Sequence, residues 1–403
     1  MKRIVVTGLG AVTSIGLGWK DFWVNLLEGR SGISKVTVFD TSKHVTHVGG
    51  EVKNFRPEDF IPRTKIKYVG RASQLAIAAT RMALSDAKLE KEFYTRVRTS
   101  VCLGTTMGEI RSVENADHSW INSSKDKHQI DPFEVYRSAV NNIPSNVAIE
   151  FHLKGRNRIF TTACASGNYA IGYGYDLLCS DKTDLVVAGG SDAFSWIAFT
   201  GFNKVSATAP ERCQPFDKNR KGMIPGEGSG VLVLESLDSA LLRGAPIYAE
   251  ILGYGLSCDA NHMTNPNPDG VAACMRNAML NAGIKPKDVD YISAHGTGTI
   301  FNDRTESTAI NEVFGKRAVK VSSIKSMLGH TMGAASAIEA ITCCLALKDQ
   351  VLPPTINYET PDPDCDIDCI PNAARKQKVE VILNNGFAFG GNNACLVLKK
   401  FVN

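Results

Sequence analysis

The sequence predicts an α/β protein built from two pseudo-symmetric halves, and three observations carry that prediction. The 403 residues are 43% apolar, enough to bury one large core or two moderate ones. Short β-branched runs alternate with apolar helical patterns along the chain, the order expected of helices packed on a sheet. The succession of strand, sharp polar turn and helix around Cys164 returns between Val319 and Leu347. On this plan the first half spans residues 1–247 and the second residues 248–403.

Taken in order, residues 3–7 read as a strand and Gly8-Leu9-Gly10 as the turn into a helix near Trp19 to Leu27. A dinucleotide-binding reading of those glycines fails, because Thr13 stands where the third glycine belongs. Arg71 to Leu89 is a buried helix, and Ser100 to Gly104 a strand ending in the polar turn Thr105-Thr106-Met107-Gly108. Residues 110–150 mix helix and loop. The segment Gly155 to Ala170 is the strand, turn and helix around Cys164. Its helix carries Gly167, Gly172 and Gly174, each costing about 1 kcal/mol relative to alanine and so marking close packing. Strands at Asp184 to Gly190 and Gly226 to Glu235 close the first half.

The second half repeats the order with a strand Ala249 to Tyr254, a helix Val271 to Ala282 and a strand Asp290 to Ala294. A strand Val319 to Ile324, a turn Lys325 to His330 and a helix Ala334 to Leu347 follow. Ligands of such sheets collect beyond the carboxyl ends of strands. There one half delivers a cysteine and the other two histidines.

Composition narrows the function. With 45 basic and 41 acidic residues and no long block of one sign, nucleic acid is not the expected main partner. No apolar run approaches the roughly 18 residues of a membrane span, so no membrane association is expected. The eleven cysteines form no Cys-x-x-Cys modules and have no histidine spacing suited to zinc. The sequence therefore implies no metal, and unpaired thiols in this number suit a reducing cytoplasm. Cys365 and Cys369 are read as structural.

Cys164 stands at a helix N-terminus, where unpaired N–H groups and the helix dipole favour a thiolate and lower the thiol pKa. His295 follows a strand in His295-Gly296-Thr297-Gly298-Thr299, and His330 lies in Gly329-His330-Thr331-Met332-Gly333. Two histidines at equivalent turns, among only eight in the chain, point to function. A thiol with two imidazoles suits acyl transfer followed by decarboxylative condensation, both rings donating to one thioester oxygen as an enolate forms. Lys325 is costly to bury unless paired; Glu306 or Asp303 is the expected counter-ion. Glu339, amid alanines and isoleucines, is expected to be buried. The glycine-flanked Phe389 can offer a backbone N–H to an oxyanion and a ring as a gate.

These residues resemble the β-ketoacyl-acyl-carrier-protein synthases of the elongating, synthase II type. The motifs run from Val5-Val6-Thr7-Gly8-Leu9-Gly10 through Pro215-Phe216-Asp217, His262-Met263-Thr264 and Val321-Ser322-Ser323-Ile324-Lys325-Ser326 to Phe389-Gly390-Gly391. The resemblance implies a thiolase-like fold in α-β-α-β-α layers. It implies Cys164 as acylated nucleophile, His295 and His330 as the malonyl-binding pair, and Lys325 as orienting the second histidine with Glu306 its partner. The Cys164 and Phe389 amides become the oxyanion hole, Phe389 the gate and Met107 a wall of the acyl pocket. Thr264, Thr297 and Thr299 resemble residues lining a phosphopantetheine tunnel, and Lys65, Lys67 and Arg71 are candidates for docking acyl carrier protein. No cofactor of the enzyme's own is implied, since phosphopantetheine belongs to the carrier.

The stretch Asn302-Asp303-Arg304-Thr305-Glu306 departs from the Pro-x-Gly-Asp continuation of fatty-acid synthases and is similar to ketosynthase subunits of type II polyketide systems. Asn392 and Ile224-Pro225 depart as well. A homodimer, or a heterodimer with a chain-length-factor homologue, is expected. Three other readings stand beside the condensing one: a noncatalytic chain-length-factor-like subunit, a thiolase acting on coenzyme A thioesters, and a starter-unit synthase using acyl coenzyme A, which would pair a histidine with an asparagine where this chain has His295 and His330. Cys164 with both histidines speaks against the first. The absence of a second cysteine in the Phe389 loop speaks against the second.

Overall fold

The computed structural model describes residues 2–123 and 130–402. Ten strands are referred to here as β1 (Ile4–Thr13), β2 (Thr99–Gly104), β3 (Asn157–Phe160), β4 (Leu185–Asp192), β5 (Gly228–Ser236), β6 (Ala249–Cys258), β7 (Tyr291–Ser293), β8 (Lys320–Ser322), β9 (Val381–Phe387) and β10 (Asn392–Lys399). They join one mixed sheet in the order β8-β7-β9-β10-β6-β1-β5-β4-β2-β3. The first five give β3-β2-β4-β5-β1 and the second five β8-β7-β9-β10-β6, each strand of one half matching the strand five places later. Pairing senses match too. β2 runs parallel to β3 and β4, as β7 does to β8 and β9. The halves meet where β1 pairs antiparallel with β6 over Ile4 to Val6.

Both faces of the sheet are apolar, as burial on both sides requires. Along β4, Val186 and Ala188 face one core while Leu185 and Val187 face another, and β5 alternates likewise through Leu232, Leu234 and Val231, Val233. Helices α1 (Arg71–Asp86), α2 (Ser166–Cys179), α3 (Pro268–Ala282), α4 (Ile300–Phe314) and α5 (Ala335–Asp349) complete the layers. α1 covers the outside of the first half and α3 the outside of the second, with α4 against α3. α2 and α5 lie between the halves, and α5 is buried from Ala335 through Leu347. This is the α-β-α-β-α layering of a thiolase-like fold.

The reading of Gly8-Leu9-Gly10 as a turn is corrected, because β1 continues unbroken to Thr13. The glycines serve close packing instead. A Cβ at Gly10 would lie 1.9 Å from the Ala79 carbonyl oxygen of α1, and one at Gly8 2.2 Å from that of Ala83. The helix glycines behave as expected, since a Cβ on Gly167 would lie 2.7 Å from the Ala337 nitrogen where α2 meets α5.

Candidate active site

The nucleophile turn follows from its small residues. After β3 the chain makes a single 3-10 turn, Ala163–Ala165, and enters α2. Ala163 adopts φ 47°, a left-handed conformation costing a non-glycine residue about 1–3 kcal/mol. That strain aims the Cys164 side chain off the helix end. α2 has no side-chain cap, and the Cys164 amide donates to no carbonyl or side chain of another described residue.

The lowered thiol pKa expected from the helix terminus is not found. Burial pushes the Cys164 thiol up to about 12, opposed by the positive charge of Lys325. Removing a thiolate from water costs more here than a helix terminus, worth about half a charge, returns.

His330 Nε2 stands 3.0 Å from Cys164 Sγ. Its Nδ1 accepts the Met332 N–H at 3.2 Å, so Nε2 carries the hydrogen of the neutral ring and donates. The His295 and His330 ring centroids are 5.4 Å apart at 82°, and His295 Nδ1 is buried with no partner among the described residues. Burial holds both imidazoles well below the usual histidine pKa, with the Lys325 charge adding to the effect. One donor atom from each of Cys164, His295 and His330 lies within 4.8 Å of the others. A soft cation needs lone pairs at such a point, whereas His330 presents a hydrogen. His330 therefore presents an N–H to the cavity beside the Cys164 thiol.

Lys325 is buried and paired with Glu339, reached from α5. This corrects the expectation of Glu306 or Asp303 as its counter-ion. Glu306, on the second turn of α4, instead accepts the amides of His295 at 2.9 Å and Gly296 at 2.7 Å, and Asn385 Nδ2 at 3.2 Å. It fixes the loop that carries His295. Asp303 accepts the amides of Phe216 at 2.8 Å and Gly298 at 3.2 Å and lies 3.8 Å from Arg220. Burial pushes Glu306 and Glu339 up to about 7 each, against those hydrogen bonds and, for Glu339, against Lys325.

A cavity of about 400 Å³ leads to this centre, lined by Cys164, His295 and His330 with Thr264, Thr297, Thr299 and Phe389. The Thr297 and Thr299 hydroxyls are 2.9 Å apart. Phe389 is 39% exposed, 6.0 Å from the Phe202 ring, and its amide has no acceptor among the described residues. Met107 is half-buried and does not line this cavity. Lys65 pairs with Glu150 and Lys67 lies over the Tyr68 and Phe133 rings, away from the cavity lining. Arg71 is engaged within the fold. Its guanidinium bonds Glu227 at 2.8 Å and the Val52 carbonyl at 3.0 Å and packs on Phe55.

The sequence reading missed Asp192. This buried carboxylate at the end of β4 accepts the Thr105 hydroxyl at 2.7 Å and the amides of Thr106 at 2.7 Å, Met107 at 3.0 Å and Gly333 at 2.7 Å. It ties the Met107 turn to the turn after His330. A lone acid ending a wholly buried strand was the available signal.

Relatives match the chain over nearly their whole length. A Synechocystis protein named 3-oxoacyl-acyl-carrier-protein synthase 2 is 41% identical over 411 residues, covering 99% of this chain and 98% of its own. The solved structure of the ishigamide ketosynthase/chain length factor superposes with TM-score 0.97 at 43% identity, covering 100% of both chains. A type II PKS acyl-carrier protein in complex with its ketosynthase bound to the hexaketide matches with TM-score 0.91 at 32% identity, again over 100% of both chains. Residues 1–240 match the β-ketoacyl synthase N-terminal domain and residues 248–359 the C-terminal domain, and the chain belongs to the β-ketoacyl synthase family.

Proposed function

We propose that the protein is a β-ketoacyl-acyl-carrier-protein synthase that lengthens an acyl chain by decarboxylative condensation with malonyl carrier protein. The observation that carries this reading is Cys164 Sγ 3.0 Å from a donating His330 Nε2, beside a second neutral histidine in one cavity. In the first half-reaction the Cys164 sulfur attacks the acyl thioester, the Cys164 and Phe389 amides serving the oxyanion. The acyl–sulfur bond of the carrier breaks, and the thiol proton leaves with the pantetheine thiol.

In the second, the malonyl carboxylate departs as carbon dioxide while His295 and His330 donate to the thioester oxygen of the enolate. The enolate carbon attacks the acyl-Cys164 carbonyl, and Cys164 leaves and recovers a proton. Each oxyanion donor of this kind is worth about 10²–10³ in rate. The chemistry draws on no cofactor of the enzyme's own; phosphopantetheine arrives on the carrier.

A second reading, as the catalytic subunit of a two-subunit polyketide ketosynthase, is favoured by the Asn302-Asp303-Arg304-Thr305-Glu306 stretch. Intact mass of the protein after incubation with acyl carrier proteins of different chain lengths, then with malonyl carrier protein, tests both. Acylation confined to Cys164, absent in Cys164→Ala, followed by a β-ketoacyl carrier product is expected. Release of free acid instead overturns the condensing reading, and acylation that requires a co-purified cysteine-less homologue selects the two-subunit form.

A further inference from the structure

Between the end of β4 and the His330 ring the hydrogen bonds run in one line. Asp192 is buried and pairs with no cation among the described residues, so its charge is held by donors alone. Oδ1 accepts the Thr105 hydroxyl at 2.7 Å and the Met107 amide at 3.0 Å, and Oδ2 accepts the amides of Thr106 and Gly333 at 2.7 Å each. Gly333 is closed in on its other side too, since a Cβ on Gly190 of β4 would lie 2.4 Å from the Gly333 carbonyl oxygen. Next to it Met332 sits at φ 54°, a conformation that a non-glycine residue keeps only where its surroundings hold it. The Met332 N–H is the one that His330 Nδ1 accepts at 3.2 Å. The amides of Met332 and Gly333 flank the strained Met332 Cα, so the bond to Asp192 sets where the Met332 N–H points. The His330 backbone has separate anchors, its N–H donating to the Ile224 carbonyl at 2.6 Å and its carbonyl accepting the Gly226 N–H at 2.9 Å.

We propose that Asp192 is a positioning residue which, through Gly333 and Met332, holds His330 in the tautomer that carries its hydrogen on Nε2. The assignment rests on the condensing function proposed above. A neutral imidazole has one hydrogen, and an N–H aimed at Nδ1 keeps that hydrogen on Nε2. That tautomer alone can donate from Nε2 to an enolate oxygen. With the Met332 amide turned away, Nδ1 can carry the hydrogen, and Nε2 then presents a lone pair to the Cys164 thiol 3.0 Å from it. Such a ring still serves acyl transfer, because a base beside the sulfur helps it attack, but it leaves the enolate oxygen to His295 alone. Asp192 therefore belongs to the second half-reaction rather than the first. A carboxylate suits the post because hydrogen bonds to an ionised acceptor are the stronger kind. Glu109 supplies the contrast. It too is a buried acid, accepting the amides of Ala72 at 3.2 Å and Ser73 at 2.7 Å, but those amides open α1 on the outside of the first half.

Two rates and one spectrum test the assignment: acylation of Cys164 by acyl-carrier protein, carbon dioxide release from malonyl-carrier protein, and the imidazole nitrogen resonances of His330, assigned by their loss in His330→Asn. In the wild type Nδ1 is expected to resonate as a bare nitrogen and Nε2 as a protonated one. Asp192→Ala is expected to bring in the form protonated on Nδ1 and to slow carbon dioxide release about tenfold, with acylation within about twofold of wild type. Asp192→Asn recovers most of both readouts, because the Thr105 hydroxyl can turn to accept its NH2 and leave its oxygen to Gly333. Where Asp192→Ala does not fold, Asp192→Ser, whose hydroxyl is too short to reach Gly333, carries the same readouts. Glu109→Gln is expected to move neither rate nor spectrum. Equal losses in both half-reactions mark a merely structural role and overturn the assignment, as does a His330 spectrum unchanged in Asp192→Ala or changed equally in Glu109→Gln. A wild type whose His330 carries its hydrogen on Nδ1 overturns it as well. A wild type that releases no carbon dioxide from malonyl-carrier protein defeats the proposed condensation instead, and the spectra still decide whether Asp192 sets the tautomer.

Discussion

The turn after β3 and the turn after β8 occupy equivalent places, and the structure makes one reactive and seals the other. Both enter a central helix through a single 3-10 turn, Ala163–Ala165 and Met332–Ala334, that begins on a strained residue, Ala163 at φ 47° and Met332 at φ 54°. Neither helix has a side-chain cap. The next residue is Cys164 in the first turn and Gly333 in the second. Cys164 keeps its amide uncommitted and points a thiol at His330. Gly333 gives its amide to Asp192, and a Cβ there would lie 2.5 Å from the Thr105 backbone carbon. One backbone device is thus an oxyanion-hole candidate on one side of the pseudo-twofold and a packed joint on the other. Duplicated geometry supplies the position; the local partner decides whether chemistry happens there.

The largest way to break the comparison is to remove the charge pair beneath the second turn. Lys325→Met leaves Glu339 buried without its counter-ion and is expected to cost about 3–5 kcal/mol in denaturant unfolding. Part of the loss should return in the Lys325→Met, Glu339→Leu double variant, since a buried pair replaced by apolar residues is often neutral. A Lys325→Met protein as stable as wild type would show that the pair does not hold this turn. Cys164→Ala is the counterpart in the first turn. It removes acylation while leaving the unfolding midpoint nearly unchanged, because the thiol's hydrogen-bond partner among the described residues is His330 and the change removes a single sulfur.

Next in size is Gly333→Ala. The added methyl meets backbone rather than a yielding side chain, so a loss of about 1–3 kcal/mol is expected, with kcat falling as His330 shifts. A thermal-melting experiment that finds Gly333→Ala unchanged would mean that the two turns are not packed differently after all.

How much of this was legible in the sequence follows from what each residue needs. Cys164, His295 and His330 were readable because a reactive type at a strand end flanked by small residues is a local signal. The halves were readable because periodicity repeats. Gly8 and Gly10 misled, because glycine spared for helix contact and glycine spared for a turn look alike in one dimension. The partner of Lys325 was unreadable for a different reason. Glu306 and Glu339 are both acids on helices, and which faces the lysine depends on how α4 and α5 are set against the sheet. Arg71 looked free until Glu227, 156 positions away, closed on it.

The smallest expected effect is an absence of titration, and it separates two accounts of the histidine pair. Their folded pKa values lie well below 6.5, so both rings stay neutral while unfolded imidazoles take up protons. As pH falls through about 6.5, each therefore costs stability, because the unfolded state binds more protons than the folded one. Glu306 and Glu339, raised to about 7, act in the opposite sense, contributing stability that is present below pH 4.5 and lost as pH rises through 7. The net acid stability curve is the sum of these opposed slopes and cannot assign either. Nuclear magnetic resonance of the imidazoles can. With the resonances assigned by their loss in His295→Asn and His330→Asn, both should hold neutral shifts from about pH 8 to about pH 5.5. Two neutral rings act as hydrogen-bond donors to the enolate without a proton being transferred. If either ring titrates near its ordinary value, the site gains an imidazolium beside Lys325 as pH falls through about 6.5, and donation by two permanently neutral rings is overturned.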